Sequence, residues 1–180
     1  MKILRNVLKS DVNLRTEQDF PVKGIEFIDI NPLIIDHKCF KEITELFVKE
    51  LKDLNIDYIL APEARGFLFA SPVASEINAG LIPVRKKGKL APSTVECQFD
   101  YVKEYGKDTL ELPKLVDGDY KDKRFYVIDD ILATGNTYNA IKSEIERLGG
   151  KVLGLGVVLN IIELNNYQDV FSLIDINEEH

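Results

Sequence analysis

Short apolar runs recur along the chain, each followed by a turn of polar or small residues and then by a segment with helical spacing. Residues 56–61 form one such run, closed by Pro62, and the helical stretch 66–78 that follows is stopped by Gly80. Residues 81–85 form a second run. A third, 125–128, ends in Asp129 and Asp130, after which 137–148 has helical spacing up to Gly149 and Gly150, and 152–159 returns as a strand. Ahead of these, Phe40, Ile43, Leu46, Phe47, Leu51 and Leu54 carry the three-and-four spacing of an amphipathic helix over 39–54, with Lys41, Glu42, Glu45, Lys49 and Lys52 on its polar face. Strands that are apolar throughout, rather than alternating, are those buried on both faces. The expected fold class is therefore α/β, an open, mostly parallel twisted sheet flanked by helices on both faces.

A chain of 180 residues fits one domain, and no internal repeat or linker-like stretch divides it. Its 23 basic and 30 acidic side chains leave a net charge of −7. That balance argues against binding nucleic acid or an anionic membrane by bulk electrostatics, so an anionic ligand must be met by local charges. Residues 1–14 contain Lys2, Arg5, Lys9 and Asp11 and lack the continuous apolar stretch of a signal peptide, and no segment is long enough to span a bilayer. Cys39 and Cys97 have no companion at metal-ligand spacing and read as free thiols of a reducing compartment, with the cytoplasm as the expected location. His37 and His180 are assigned no chemistry.

In open parallel sheets ligands bind at the carboxyl ends of the strands, here the loops after Leu60, Val84 and Ile128. The third loop is the most telling. Val127, Ile128, Asp129, Asp130, Ile131 and Leu132 lead into Ala133, Thr134, Gly135, Asn136 and Thr137, so two adjacent carboxylates precede a small-residue turn that opens a helix. A helix N-terminus exposes unpaired N–H groups and partial positive charge, which suits a phosphate monoester, and the neighbouring carboxylates can accept hydrogen bonds from two sugar hydroxyls. An isolated Asp–Asp pair is more often a solvated turn, with Thr134 an ordinary helix cap. After the second loop come Arg85, Lys86, Lys87 and Lys89, then a Pro/Ser/Thr-rich stretch at 91–100 that reads as a mobile loop.

The string 127–137 resembles the ribose-phosphate signature of the phosphoribosyltransferases. Further segments are similar to the adenine branch of the type I purine enzymes: residues 19–33 to a base-binding segment, 63–69 to the first diphosphate loop, 84–90 to the basic turn after it, and 104–111 to the end of a catalytic loop. The five occur in the family's order over about residues 19–160. The resemblance implies a core at about 36–180 under a small N-terminal hood at about 1–35, working as a homodimer. The implied reaction moves the 5-phosphoribosyl group of phosphoribosyl pyrophosphate to adenine, giving AMP and diphosphate, with Mg²⁺ held mainly by the diphosphate.

By the same resemblance Phe27 stacks on the base while the backbone of Glu26 and Ile28 reads its edge. Arg65 and the Glu63–Ala64 backbone meet the diphosphate, and Arg85, Lys86 and Lys89 line its other side. Glu104 exchanges a proton with the purine and Tyr105 closes over the ribose. Asp129 and Asp130 stabilise the ribose, and Ala133, Thr134, Gly135, Asn136 and Thr137 hold the 5-phosphate. Ile28 and Lys23 stand where Arg and Pro are common, which leaves hypoxanthine, guanine or xanthine as alternative bases. A non-catalytic regulator that binds phosphoribosyl pyrophosphate is a further alternative. Asn136 replaces a second glycine, and asparagine tolerates positive φ.

Overall fold

The computed structural model describes residues 1–20, 22–24, 26–103, 106–167 and 169–177. In chain order the elements are β1 (Lys2–Asn6), β2 (Arg15–Gln18), β3 (Glu26–Asp29), α1 (Asn31–Ile35), α2 (His37–Leu51), β4 (Tyr58–Pro62), α3 (Gly66–Glu76), β5 (Gly80–Lys86), β6 (Val95–Lys103), β7 (Gly106–Pro113), β8 (Arg124–Leu132), α4 (Asn136–Arg147), β9 (Lys151–Ile161) and β10 (Val170–Asn177). The described residues form an eight-stranded sheet in the order β1-β10-β9-β8-β4-β5-β7-β6 and a separate ribbon of β2 and β3. Its centre, from β10 to β5, is parallel; β1 at one edge and the β7–β6 hairpin at the other run antiparallel. This is the expected α/β sheet with antiparallel edges added.

Because the central strands are apolar on both faces, the sheet carries a core on each side. Tyr126 and Ile128 of β8 pack with Ile59 and Ala61 of β4 and with Phe47 and Phe69 from α2 and α3. The alternate residues Phe125 and Val127 pack with Leu60, Val84 and the α4 residues Ile141 and Ile145. The spacing of the buried α2 residues Cys39, Ile43, Phe47 and Leu51 directs one stripe of that helix at the sheet. Its start lies two residues before the expected one because Asp36 caps it, accepting from the Lys38 and Cys39 N–H groups. Cys39 is buried, Cys97 is half-buried, and both carry free thiols. Among the described residues no helix is long and apolar enough to cross a membrane.

Two expectations need correction. The stretch 91–100 is not a loop throughout: only Pro92–Thr94 forms a 3₁₀ turn, and β6 begins at Val95. Val95, Cys97, Phe99 and Tyr101 turn inward while Glu96, Gln98, Asp100 and Val102 stay exposed, which is the period of a half-buried strand. The second concerns 1–35. β1 joins the large sheet beside β10, and within that stretch only β2 and β3 form the ribbon set apart from it.

Close approach between α2 and the sheet depends on Gly156 of β9. A Cβ there would sit 2.7 Å from Phe47 Cε1 and 3.2 Å from Tyr126 Cε1. Gly156→Ala is therefore expected to lower stability by about 1–3 kcal/mol through overpacking, read as a fall in the urea midpoint at unchanged slope. A midpoint equal to the parent's would show that the helix can back away without cost.

Candidate active site

Parallel pairing of β5, β4 and β8 brings Lys86, Pro62 and Leu132 to one edge of the sheet, so the three loops that follow share a mouth. At its centre the 133–137 turn, Arg65, Asp129 and Val102 line a cavity of about 320 Å³. Gly135 has φ +77° and is the N-cap of α4; no side chain caps the helix. Thr134 is thus not an ordinary helix cap, and the first-turn N–H groups of α4 are left for a ligand. The left-handed conformation falls on Gly135, whereas Asn136 opens the helix with an ordinary φ. Asparagine in place of a second glycine therefore costs the turn nothing.

Asp129 and Asp130 sit at the end of β8. The Asp130 N–H donates to Asp129 Oδ1 at 2.9 Å. Burial, and then the charge of Asp130, push the Asp129 carboxyl well above the usual carboxylate range. Asp130 is only 5% exposed. Arg65 Nε lies 2.6 Å from Asp130 Oδ2 as an ion pair, and Oδ2 is buried without a hydrogen-bond partner among the described residues. The ion pair offsets the charge of that oxygen, and its remaining hydrogen-bonding capacity is what a ligand hydroxyl would fill. Gly66 lets the start of α3 close on this strand end, since a Cβ there would come 3.0 Å from Asp129 Oδ1.

The Glu63 side chain braces two loops: its Oε2 accepts from Arg85 Nε at 3.0 Å and from the Lys86 N–H at 2.9 Å, which leaves its backbone to face the mouth. Burial opposes ionisation of Glu63, yet these two donors outweigh it and its pKa is lowered. The Glu63–Ala64 peptide is cis. Arg85 also lies over the Phe67 ring at 5.7 Å, which fixes its guanidinium at the mouth. Lys86 and Lys89 are exposed, and the Lys89 N–H donates to the Lys86 carbonyl.

One carboxylate with no assigned role shapes the basic turn. Glu111 of β7 is 2% exposed and accepts from the Gly88 N–H and Gln98 Nε2 through Oε1, and from the Leu90 N–H through Oε2. The backbone N–H of Gly88 is the chief reason its pKa is lowered. The signal was present in Leu110-Glu111-Leu112, a charge between two core residues.

In the ribbon, the edge of Phe20 meets the Phe27 ring at 5.1 Å between centroids, and the Arg65 guanidinium stands 5.8 Å from the Phe27 centroid. Arg65 thus bridges Phe27 and Asp130. Glu26 is half-buried, while the Ile28 side chain is 4% exposed and belongs to the core, so its identity does not decide what faces a ligand. Glu104 and Tyr105 lie outside the described residues, as does His180. The flanking β6 ends at Lys103 and β7 begins at Gly106.

Residues 33–169 match the model of the phosphoribosyl transferase domain family. The chain is similar to an adenine phosphoribosyltransferase of Clostridium acetobutylicum, 44% identical over 170 residues that cover 92% of this chain and 96% of that one. It is 45% identical over 151 residues to an adenine phosphoribosyltransferase of Methanococcus maripaludis, covering 84% and 86%. Among solved structures it is similar to adenine phosphoribosyltransferase from Thermoanaerobacter pseudethanolicus, with TM-score 0.81, 39% identity and coverage of 91% and 95%. The Saccharomyces cerevisiae enzyme, complexed with adenine and an imino-altritol bisphosphate, has TM-score 0.76 and 31% identity, with coverage of 89% and 93%.

A raised folded-state pKa means that the folded protein binds a proton the unfolded chain releases, so the penalty at Asp129 is absent below about pH 3.9 and grows as pH rises toward the folded value. Asp129→Asn removes that penalty. Thermal melting of the ligand-free protein at neutral pH is expected to show the variant more stable than its parent, with the gain shrinking as pH falls toward 4. A gain that did not depend on pH would refute this account of the strand end.

Proposed function

The chain belongs to the phosphoribosyl transferase domain family and, within it, to the adenine phosphoribosyltransferases, and on that premise we propose that it condenses adenine with phosphoribosyl pyrophosphate to give AMP and diphosphate. The observation that carries the reading is the end of β8. There a half-buried Asp129 and a buried Asp130, whose Oδ2 is ion-paired with Arg65 but accepts no hydrogen bond among the described residues, run straight into an uncapped helix N-terminus. Hydroxyl acceptors and phosphate donors on one short segment match a ribose 5-phosphate, which carries both groups.

In this reading the first-turn N–H groups after Gly135 hold the 5-phosphate, and Asp129 and Asp130 take the ribose hydroxyls. A purine ring nitrogen attacks the anomeric carbon, the bond from that carbon to the diphosphate oxygen breaks, and the configuration inverts. Positive charge that develops on the sugar is met by the two carboxylates, which are in place before the reaction and need no reorganisation. Phe27 offers a ring face to the base. Arg65, Arg85, Lys86 and Lys89 neutralise the departing diphosphate, and Glu104 takes the base proton.

Mg²⁺ fits this site as a companion of the substrate. Among the described residues no three His, Cys, Asp or Glu side chains converge as a cage, and Glu63 is already engaged by Arg85 and Lys86. Such a site suits an ion that takes its ligands from diphosphate and water. Bound there, it would offset charge on the leaving group. The further reading is a homodimer working in the cytoplasm.

The test is AMP formation from phosphoribosyl pyrophosphate and Mg²⁺ with adenine, hypoxanthine, guanine and xanthine in turn. Turnover with adenine alone is expected, abolished by chelation of the metal. Asp130→Asn and Glu104→Ala are each expected to lower kcat by about 100-fold or more. Turnover with a different base would move the specificity, and phosphoribosyl pyrophosphate binding without turnover on any base would replace the enzyme with a regulator.

A further inference from the structure

The proposed phosphate turn has a weakness that its own residues do not repair. Its N–H groups act on a ligand only if the backbone holds one shape, yet α4 has no capping side chain and the turn passes through a left-handed glycine. Order has to come from elsewhere. It comes from a segment 30 or so residues further along, between β9 and β10.

Asn165 and Tyr167 of that segment grip the two ends of the turn. Asn165 Nδ2 donates to the Ala133 carbonyl at 3.0 Å, and also faces Asn160 Oδ1 at 3.0 Å and the Ile161 carbonyl at 2.9 Å. Its Oδ1 accepts from the Tyr167 N–H at 3.1 Å, so the amide is fixed in one orientation by partners on both its atoms. The Tyr167 ring lies directly on Gly135, where any Cβ would collide with it, and stands edge-on to Tyr138 with 5.8 Å between centroids. Its hydroxyl reaches Asn139 Oδ1 at 2.5 Å and the Gly135 carbonyl at 3.5 Å. Asn139 in turn donates its N–H to the Gly135 carbonyl, closing the first turn of α4.

The anchor behind this grip is the sheet itself. Asn160 is 5% exposed, and its Nδ2 lies 3.4 Å from Asp175 Oδ1, while Asp175 is held by Arg5 and Ser172. A chain of polar contacts therefore runs from β1 through β10 and β9 to the carbonyl at the head of the turn.

We propose that Asn165 and Tyr167 are positioning residues for the 5-phosphate: they touch no substrate, and set the direction of the N–H groups that do. The inference rests on the reading of 133–137 as the phosphate site. It sorts effects by ligand, since a misdirected turn weakens anything held through the 5-phosphate and leaves free diphosphate unaffected.

The experiment measures binding of ribose 5-phosphate and of inorganic diphosphate with Mg²⁺ by calorimetry, together with kcat and the KM for phosphoribosyl pyrophosphate. Asn165→Ala is expected to weaken ribose 5-phosphate about tenfold and to raise KM by a similar factor, with diphosphate affinity within about twofold of the parent. Tyr167→Phe and Asn139→Ala are each expected to weaken ribose 5-phosphate about threefold, and the double variant no more than Tyr167→Phe alone, because that substitution already removes the hydroxyl that Asn139 meets. Asn139 is exposed on α4, so that variant carries the test even if Asn165→Ala does not fold. Unchanged ribose 5-phosphate affinity in folded variants, or equal weakening of both ligands, would overturn the positioning role while leaving the phosphate site intact. A parent protein that binds no ribose 5-phosphate would overturn the functional reading and the positioning role with it.

Discussion

Everything at the site depends on β8 being buried on both faces. Phe125 and Val127 face the core shared with α4, and Tyr126 and Ile128 face the core shared with α2 and α3. Because the strand is clamped from both sides and paired in parallel with β4 and β9, its carboxyl end has no freedom to shift in register without moving every side chain to the wrong core. Two aspartates can therefore be carried into a largely buried position and kept there. The desolvation cost of burying them is offset by the burial of the apolar strand that precedes them.

Charge at the mouth is arranged in pairs that leave something unfinished. Arg65 meets Asp130 without completing a hydrogen bond to its buried oxygen, and Arg85 is held by Glu63 while its guanidinium stays at the surface of the mouth. Glu111 ties the backbone of the basic turn to β7. In a chain of net charge −7 such pairing is what lets cations gather at one edge of a sheet without a basic surface around them. A multiply charged anion arriving there competes with carboxylates already in place, which favours a ligand bringing its own cation.

The helices and central strands were legible because their periodicities are long and uninterrupted. Phe40 to Leu51 repeats on one helical stripe, and the run before Asp129 has no polar residue to suggest an edge. The hairpin was not read, although Val95, Cys97, Phe99 and Tyr101 alternate cleanly with polar neighbours through Asp100, because the Pro-Ser-Thr turn just ahead dominated the local composition. Ile28 stands in the segment that resembles a base site, yet its side chain faces the core; strand direction, which only pairing with β2 defines, decides that. Asn165 and Tyr167 carried no signal at all, since nothing in their neighbours shows that a turn some thirty residues earlier will lie beneath them.

The amino-acid sequence by itself determined the sheet class, the three loops at which chemistry gathers and the order of residues along the string from Val127 to Thr137, because each of these is a local pattern of polarity and turn-forming residues. Tertiary structure alone decided which carboxylates brace loops and which face the cavity, that Gly135 rather than Asn136 takes the left-handed turn, and that the turn is held from behind by a distant segment. Those outcomes depend on distances between residues far apart in the chain, and such distances are set only when both cores close around the sheet.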